Sequence, residues 1–570
     1  MSHRRKKGKR PGKPTASKLS PQADIPEQRT PVQPTRSSQA IAFVAPAWNH
    51  LQALLTPGDR LLAKLRISPL PDRYERWLGP NALVWLVLLS IVPIIYVGLG
   101  LTVSVTAWGL PRNLYPWIDN DYWWHLATGD WIIDNREMPT PDPWLFTYEG
   151  EFVAHEWLGE VFLSFTDRIG DYPAGIIATW IIAIAGLWIL IAALHLYGLS
   201  WRACAVVTLL WMGVFLRDGV FAVRPQMWTF SFFALLFLFL ALYETGRWNQ
   251  LWVLPPLFLI WFNAHLSAVI GIAILGAFGL DQLIRRKPIR HLLIVGVLCL
   301  AGMLINPYGL EYVEIILRYP SRPEIWNDRI FEWQAPDFSE SHNWPFALAI
   351  PMVIPAIWQL LRGRVWPSTL VLFFLYQALT SVRFVTIYVM ACMVFAGWLV
   401  WQHRQDVPRV WQPAPTERSR RLWLLVAPVA ISAAIVLWVA LTYDRSQFQR
   451  NPFAWGYPVD AATIYQEQLS DHRLFNTYDW GGYLLLRFNG NPEIYIDGRS
   501  EVYPSSLLER YFYIVDGGSG WDVMLNEDQI DVIMIRPIDG LTRPLADHPD
   551  WELVFQDRYS NLYVRRSAVQ

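Results

Sequence analysis

The feature that most constrains this chain is a succession of long apolar runs separated by short polar connections. An α-helix needs roughly 20 apolar residues to cross a bilayer, because each residue adds about 1.5 Å and the hydrocarbon core is about 30 Å thick. Such runs fall near Ala82–Ala107, Ala174–Leu196, Ala203–Phe215, Met227–Tyr243, Leu251–His265, Ala268–Leu283, Leu292–Ile305, Pro345–Leu361, Pro367–Val382, Val385–Trp401 and Leu422–Leu441. They predict an α-helical polytopic membrane protein with about eleven transmembrane helices. Composition agrees: 53% of the 570 residues are hydrophobic and only 17% are charged, against about a quarter in soluble domains. Tryptophans such as Trp248, Trp344 and Trp366 flank the runs, where interfacial belts put them.

Charge distribution predicts the topology. Formal net charge is zero, so its sum says nothing about partners. The first residues are basic and rich in Pro, Ser and Lys (HRRKKGKRPGKP), with too little apolar surface to fold alone. Residues 1–80 are therefore expected to form a largely disordered cytoplasmic tail, with an amphipathic helix inside Ala40–Leu78 and no nucleic-acid partner. The first apolar run is too long for a signal-peptide core. With the tail retained inside, alternation puts Arg285, Arg286, Lys287, Arg290, Arg362 and Arg364 on the tail's side. Arg404, Arg409, Arg418, Arg420 and Arg421 fall there too, as the positive-inside rule requires. The expectation is a multi-pass inner (plasma) membrane protein, with its transmembrane domain at 81–442 and a large first outer loop at 108–173. Residues 443–570 then lie on the extracytoplasmic side. There the apolar runs shorten to strand length at Glu493–Ile496, Asp531–Ile535 and Leu553–Phe555. Helical stretches alternate with them at Ala461–Leu469, Ser505–Val515 and Trp521–Asn526, and Trp551–Arg565 reads as a hairpin. This predicts a small α/β domain. Cys204, Cys299 and Cys392 all lie in apolar runs, so no disulfide framework is available to it.

Polar residues near a membrane are costly and concentrate at functional places. Here they gather at the outward ends of the runs: Asp119, Asp121, Trp123, Trp124, His125, His155 and Glu156 in the first outer loop, then Arg224, Asn263, His265, Glu332, Asp337 and Arg383. Two carboxylates at i, i+2 on an extended segment point the same way. Next to aromatic rings, one of them is tuned toward proton abstraction. The planar forks of Arg224 and Arg383 suit phosphate oxygens. Acid, arginine and aromatic shelf together suit transfer of a group from a phosphate-bearing lipid: Asp119 or Asp121 as base, Arg224 and Arg383 on the leaving phosphate, and the rings of Trp123 and Trp124 against sugar. His155 and Glu156 are further substrate-binding candidates. Plainer roles stay open: an N-cap for Asp119 and Asp121, a helix start for His155-Glu156, snorkelling for Arg224 and interhelical bonding for Asn263 and His265.

DNDYWWHLATGDWI, PTPDPWLFTYEG and HEWLGEVFLS resemble the first outer loop of GT-C-type membrane glycosyltransferases. They are closer to the uncharacterised bacterial branch of the dolichyl-phosphate-mannose–mannosyltransferase and RgtA/B/C/D-like group. The resemblance covers roughly Trp85 to Trp401. It implies a GT-C-like fold and an inverting glycosyltransferase using a polyprenyl-phosphate sugar donor, with Asp119 and Asp121 matching the acidic motif. The acceptor would be an envelope glycan, lipid or protein. The stretch Asn476-Thr477-Tyr478-Asp479-Trp480-Gly481-Gly482-Tyr483 is similar to the WWDYG segment of oligosaccharyltransferase catalytic subunits, with its order altered. A strand end turning into a helix at Gly481-Gly482 is the preferred reading there, and Asp497-Gly498-Arg499 reads as a turn. No cofactor or obligatory metal is expected, although an Asp-x-Asp with a further carboxylate is a donor set that a hard cation uses. The competing functional classes are a lipid or solute transporter (flippase) and a non-catalytic envelope assembly protein. Charge at the ends of clean apolar runs, rather than at mid-span, favours the enzyme.

Overall fold

In the computed structural model, the described residues are 120–148, 150–200, 223–318, 329–340, 343–403, 456–499 and 502–568, with a few helical positions at 203–208 and 430–437. All belong to one compact unit, Leu62–Gln570. The basic tail, the surface helix within Ala40–Leu78, the runs Ala82–Ala107 and Leu422–Leu441, most of Ala203–Phe215 and the basic stretch 404–421 lie outside the described residues. So do Asp119 and the boundaries expected at 80 and 442.

The helices are α1 (Asp121–Asn135), α2 (Trp157–Tyr197), α3 (Met227–Glu244), α4 (Leu254–Ala264), α5 (Ala268–Ile284), α6 (Arg290–Gly302), α7 (Glu311–Arg318), α8 (Trp344–Leu361), α9 (Ser368–Thr380) and α10 (Val385–Gln402). Eight of them stand where apolar runs predict them. Length divides those eight. Ile177–Tyr197 of α2, α3, α8 and the segment Val382–Gln402 are long and apolar enough to cross a membrane, and they mark the chain as an integral membrane protein. The other four hold 11 to 17 residues. The expected count of eleven spans is thus four by helix length among the described residues. One reason is visible at α4: Pro255 sits in its first turn and His265 leaves helical geometry, so the apolar run Leu251–His265 yields only 11 helical residues. α2 is bent where Gly170 and Asp171 depart from helical φ/ψ.

A helix that is apolar all round is either central or lipid-facing, and both cases occur. α3 and α10 are central, with Phe233, Phe237, Leu240, Met390 and Phe395 fully buried. α8 is peripheral, with Leu348, Ile354 and Leu361 exposed.

The C-terminal residues form the small α/β unit. It contains β1 (Leu474–Asn476), β2 (Val532–Ile535), β3 (Trp551–Gln556) and β4 (Asn561–Arg565), in sheet order β1-β2-β4-β3. β1 and β2 run parallel, and the other pairings are antiparallel. The hairpin is present, its turn held by Asp557, which accepts from the backbone N–H groups of Tyr559 and Ser560. The strand expected at Glu493–Ile496 is instead a single bridge, Ile494 to Leu145 of the loop after α1. That segment pairs with the loop rather than joining the sheet, and the three-residue β1 is too short to have shown in the sequence pattern. Loop and C-terminal unit share one apolar core, in which Tyr122, Trp123, Trp144 and Phe152 pack with Tyr457, Tyr483, Ile494 and Ile496. Arg499 fastens it. Fully buried, Arg499 pairs with Asp142 of the loop at 2.7 Å and Asp497 at 2.6 Å, with Phe152 and Trp144 against its guanidinium.

Candidate functional site

The loops at one end of the bundle converge on a cavity of about 210 Å³. It sits at the start of α3, α5 and α10 and at the end of α4, because these helices alternate in direction. α1 contributes Asp121, Trp124 and His125. Positions i, i+3 and i+4 share one helix face, so these three side chains line the cavity while Trp123, about 100° round the helix, does not. Trp123 packs edge-on to Tyr457 and Tyr483 in the shared core. The sugar-shelf role expected of Trp123 therefore has no wall to act from, while Trp124 does line the cavity. The N-cap reading of Asp121 is also corrected. The cap is Asn120, without a side-chain cap bond, and Asp121 opens the helix. Its Oδ1 accepts from Trp124 Nε1 at 3.1 Å and its Oδ2 from Arg224 at 3.1 Å.

His155 and Glu156 stand just before α2, with Glu156 as its N-cap residue. Three histidines surround the Glu156 carboxylate: His265 Nε2 is 3.2 Å from Oε1, His155 Nε2 is 3.7 Å from Oε1, and His125 Nε2 is 3.9 Å from Oε2. His125 also reaches Glu160 through Nδ1 at 3.1 Å. Burial, then the positive field of Arg224 and the neighbouring histidines, pushes His125 well below the ordinary histidine range. Close packing here depends on Gly159, where a Cβ would stand 2.7 Å from the Pro225 side chain and 2.9 Å from the Ala264 carbonyl. The starts of α2 and α3 and the end of α4 meet at that point.

Arg224 does not snorkel: it is 6% exposed and bonded to Glu332 as well as to Asp121. Glu332 pairs with Arg383 at 3.4 Å, so the charges alternate along Asp121, Arg224, Glu332 and Arg383. Arg383 is held over the Trp333 ring at 5.0 Å. Its turn is docked by Ser381 Oγ donating to the Glu332 carbonyl and by the Val382 N–H donating to that of Gln334. Burial alone would raise the Glu332 carboxyl, but Arg224 and Arg383 outweigh it and hold it below the usual range.

Asp121, Trp124, His155, Glu156, Arg224 and Arg383 are therefore brought to one hollow; Trp123 is not, and Asp119 lies outside the described residues. Three contributors were given plainer readings from sequence. His265 read as interhelical glue, which fits its neighbour Asn263, whose Oδ1 accepts from Trp157 Nε1 at 2.7 Å. Glu332 stood among the outward polar residues without a role of its own. Asp497-Gly498-Arg499 read as a turn, yet Gly498 lines the cavity, as do Tyr478 and Asp479. Tyr478 donates to the Gly498 carbonyl at 3.0 Å, and Asp479 pairs with Arg536 at 2.9 Å. Helix-face arithmetic at Asp121, Trp124 and His125 was available in the sequence; the C-terminal wall had a local signal only at Tyr478-Asp479, in the stretch similar to WWDYG, and none at Gly498.

No family model matches this sequence, and no curated protein matches it. Among solved structures the chain is similar to the archaeal oligosaccharyltransferase AglB from Archaeoglobus fulgidus in complex with an inhibitory peptide and a dolichol-phosphate. The identity is 11%, the likeness covers 80% of this chain and 69% of that one, and the TM-score is 0.44. A likeness of that size carries no argument, and the functional reading rests on the cavity.

Proposed function

We propose that this chain is a GT-C-type glycosyltransferase that moves a sugar from a polyprenyl-phosphate donor to an envelope glycan, lipid or protein acceptor at the outer face of the membrane. The observation that carries the reading is the meeting of Asp121, Glu156, Arg224 and Arg383 at one cavity at the end of an apolar helix bundle. Such a place gives a lipid-borne phosphate two guanidinium groups. It also gives an acceptor hydroxyl carboxylates that take its proton. A phosphate oxygen would reach Arg224 and Arg383 by displacing the Glu332 carboxylate that bridges them here. Asp121, bonded to Arg224, would hold that guanidinium in place. The donor sugar would then sit beside Trp124 and His155, with the acceptor approaching past the C-terminal wall. An obligatory metal is not part of this reading.

The test uses the full chain in lipid nanodiscs with polyprenyl-phosphate hexoses. The expected result is tight binding of undecaprenyl phosphate and its release from at least one donor, with both strongly weakened in Arg224→Met. A chain that binds no undecaprenyl phosphate and releases none from any hexose donor is not such a transferase.

A further inference from the structure

Arg224 and Arg383 come to the cavity just before α3 and α10, and one carboxylate meets both. Glu332 Oε1 accepts a hydrogen bond from Arg224 Nη2, and Glu332 Oε2 forms an ion pair with Arg383 Nη1 at 3.4 Å. One oxygen thus faces each guanidinium, the arrangement that the two unesterified oxygens of a phosphodiester would take. The segment that carries Glu332 is anchored without its carboxylate. Ser381 Oγ donates to the Glu332 carbonyl, and the Val382 N–H donates to the Gln334 carbonyl. The adjacent Trp333 is buried, with Arg383 over its ring. The Glu332 side chain itself is 30% exposed, so a carboxylate that swings away meets water in the cavity rather than apolar packing.

Charge adds a second constraint. Along the row Asp121, Arg224, Glu332 and Arg383, two negative groups face two positive ones. A phosphate entering with Glu332 in place would set three anions against these two cations at contact distance, where like charges repel most. Entry of the phosphate and departure of the Glu332 carboxylate are therefore a single exchange.

We propose that Glu332 is an internal competitor of the donor phosphate: its carboxylate holds Arg224 and Arg383 while no donor is bound, yields them to the lipid-borne phosphate, and returns to expel polyprenyl phosphate after transfer. This rests on the polyprenyl-phosphate reading above and adds how that site is regulated. Being tethered, Glu332 competes at a fixed, high local concentration. It sets a threshold, because the apparent affinity of any anion for the two guanidinium groups is reduced by the fraction of time that Glu332 holds them. Release needs such help. A sugar phosphodiester carries one negative charge, whereas polyprenyl phosphate is a monoester and carries about 1.5 to 2 near neutral pH. The product would therefore cling to the arginines more tightly than the donor.

The experiment uses the full chain in lipid nanodiscs, with undecaprenyl phosphate as the probe. Glu332→Gln keeps the side chain's shape and removes its charge. It should bind undecaprenyl phosphate about 10- to 100-fold more tightly than wild type, because a charge-assisted bond no longer has to be given up. With a donor that wild type uses, the first turnover should persist and later ones should slow, as product leaves late. Binding equal to or weaker than wild type, at an unchanged melting temperature, overturns the proposal and makes Glu332 a residue that orients the two arginines for phosphate. If Glu332→Gln does not fold, Glu332→Asp carries the test. Its shorter side chain keeps the charge but loosens the bridge, so tighter binding is again expected, and binding at or below the wild-type level overturns the proposal. If wild-type protein neither binds undecaprenyl phosphate nor uses any donor, the transferase reading falls. Phenylglyoxal modification of Arg383, mapped by mass spectrometry, then decides the exchange by itself. Inorganic phosphate should protect Arg383 at a lower concentration in Glu332→Gln than in wild type, and equal protection overturns the exchange.

Discussion

Two clusters of buried charge stand at opposite ends of the same helices. α3 runs from just after Arg224 at the cavity to Glu244 at the far end, and α5 from beside His265 past Asp281 to its C-cap Arg285. At the far end Glu244 accepts from Tyr197 at 3.0 Å, Trp366 at 3.2 Å, Trp398 at 3.1 Å and Arg285 at 3.3 Å. Asp281 accepts from the backbone N–H groups of Val365 and Trp366 and pairs with Arg285. Indoles, a phenol and backbone amides fill the space around these charges. At the near end the same residue types, carboxylates and arginine, border a cavity instead. Burial and pairing alone therefore do not mark a site. What separates the two is whether the charged groups still face room for another molecule.

Substitution should break the symmetry between the ends. Arg224→Met at the near end should weaken undecaprenyl phosphate binding and donor turnover by about 10²–10³-fold, the scale of losing one oriented donor to a developing anion. Glu244→Gln at the far end should lower stability by about 1–3 kcal/mol, since one buried acceptor becomes a donor facing indole N–H groups. It should leave phosphate affinity alone. Thermal unfolding in detergent and a phosphate-binding assay on both variants check this. Equal loss of binding in the two would mean that the far cluster is also part of the site.

Acidification sharpens the contrast, because the near end holds the histidines. His125 and His265 are pushed well below the usual histidine range, burial first and nearby arginines next. The unfolded chain then binds more protons than the folded one below about pH 6.5, so stability is fully present above that value and falls as pH drops through it. Each contributes a slope of up to about 1.4 kcal/mol per pH unit. Glu332, also held low, adds its own loss only below about pH 4. Thermal unfolding from pH 7.5 to 5 should show this slope, and His125→Gln with His265→Gln should flatten it. An unchanged slope in the double variant would place the acid sensitivity elsewhere.

What the sequence disclosed follows from where each signal resides. Asp121, His155, Glu156, Arg224 and Arg383 were legible because charge at the end of an apolar run is conspicuous. The helix positions were legible from the runs, but their lengths were not, since turns such as His265–Ser267 are cut by tertiary packing. Trp123 was misplaced because two adjacent aromatics look alike until a helix separates their directions. The wall made by Tyr478, Asp479 and Gly498 depends on docking across more than 300 residues, as the bond from Thr147 to the Tyr495 carbonyl illustrates. No local periodicity encodes such a contact.

That docked wall supplies the smallest expected effect. A Cβ at Gly498 would stand 2.8 Å from Asp121 Oδ1 and 3.3 Å from Trp124 Nε1. The obstacle is the end of a flexible side chain, so Gly498→Ala should cost the fold little. It should instead turn the Asp121 carboxylate and loosen the bonds that carboxylate accepts from Trp124 and Arg224. The expected result is undecaprenyl phosphate affinity weakened about three- to tenfold, close to the worth of one modest hydrogen bond, with an almost unchanged melting temperature. The opposite pattern, a lower melting temperature with intact affinity, would make this part of the C-terminal unit packing alone, like the far cluster, and would move the boundary of the site back to the helix ends.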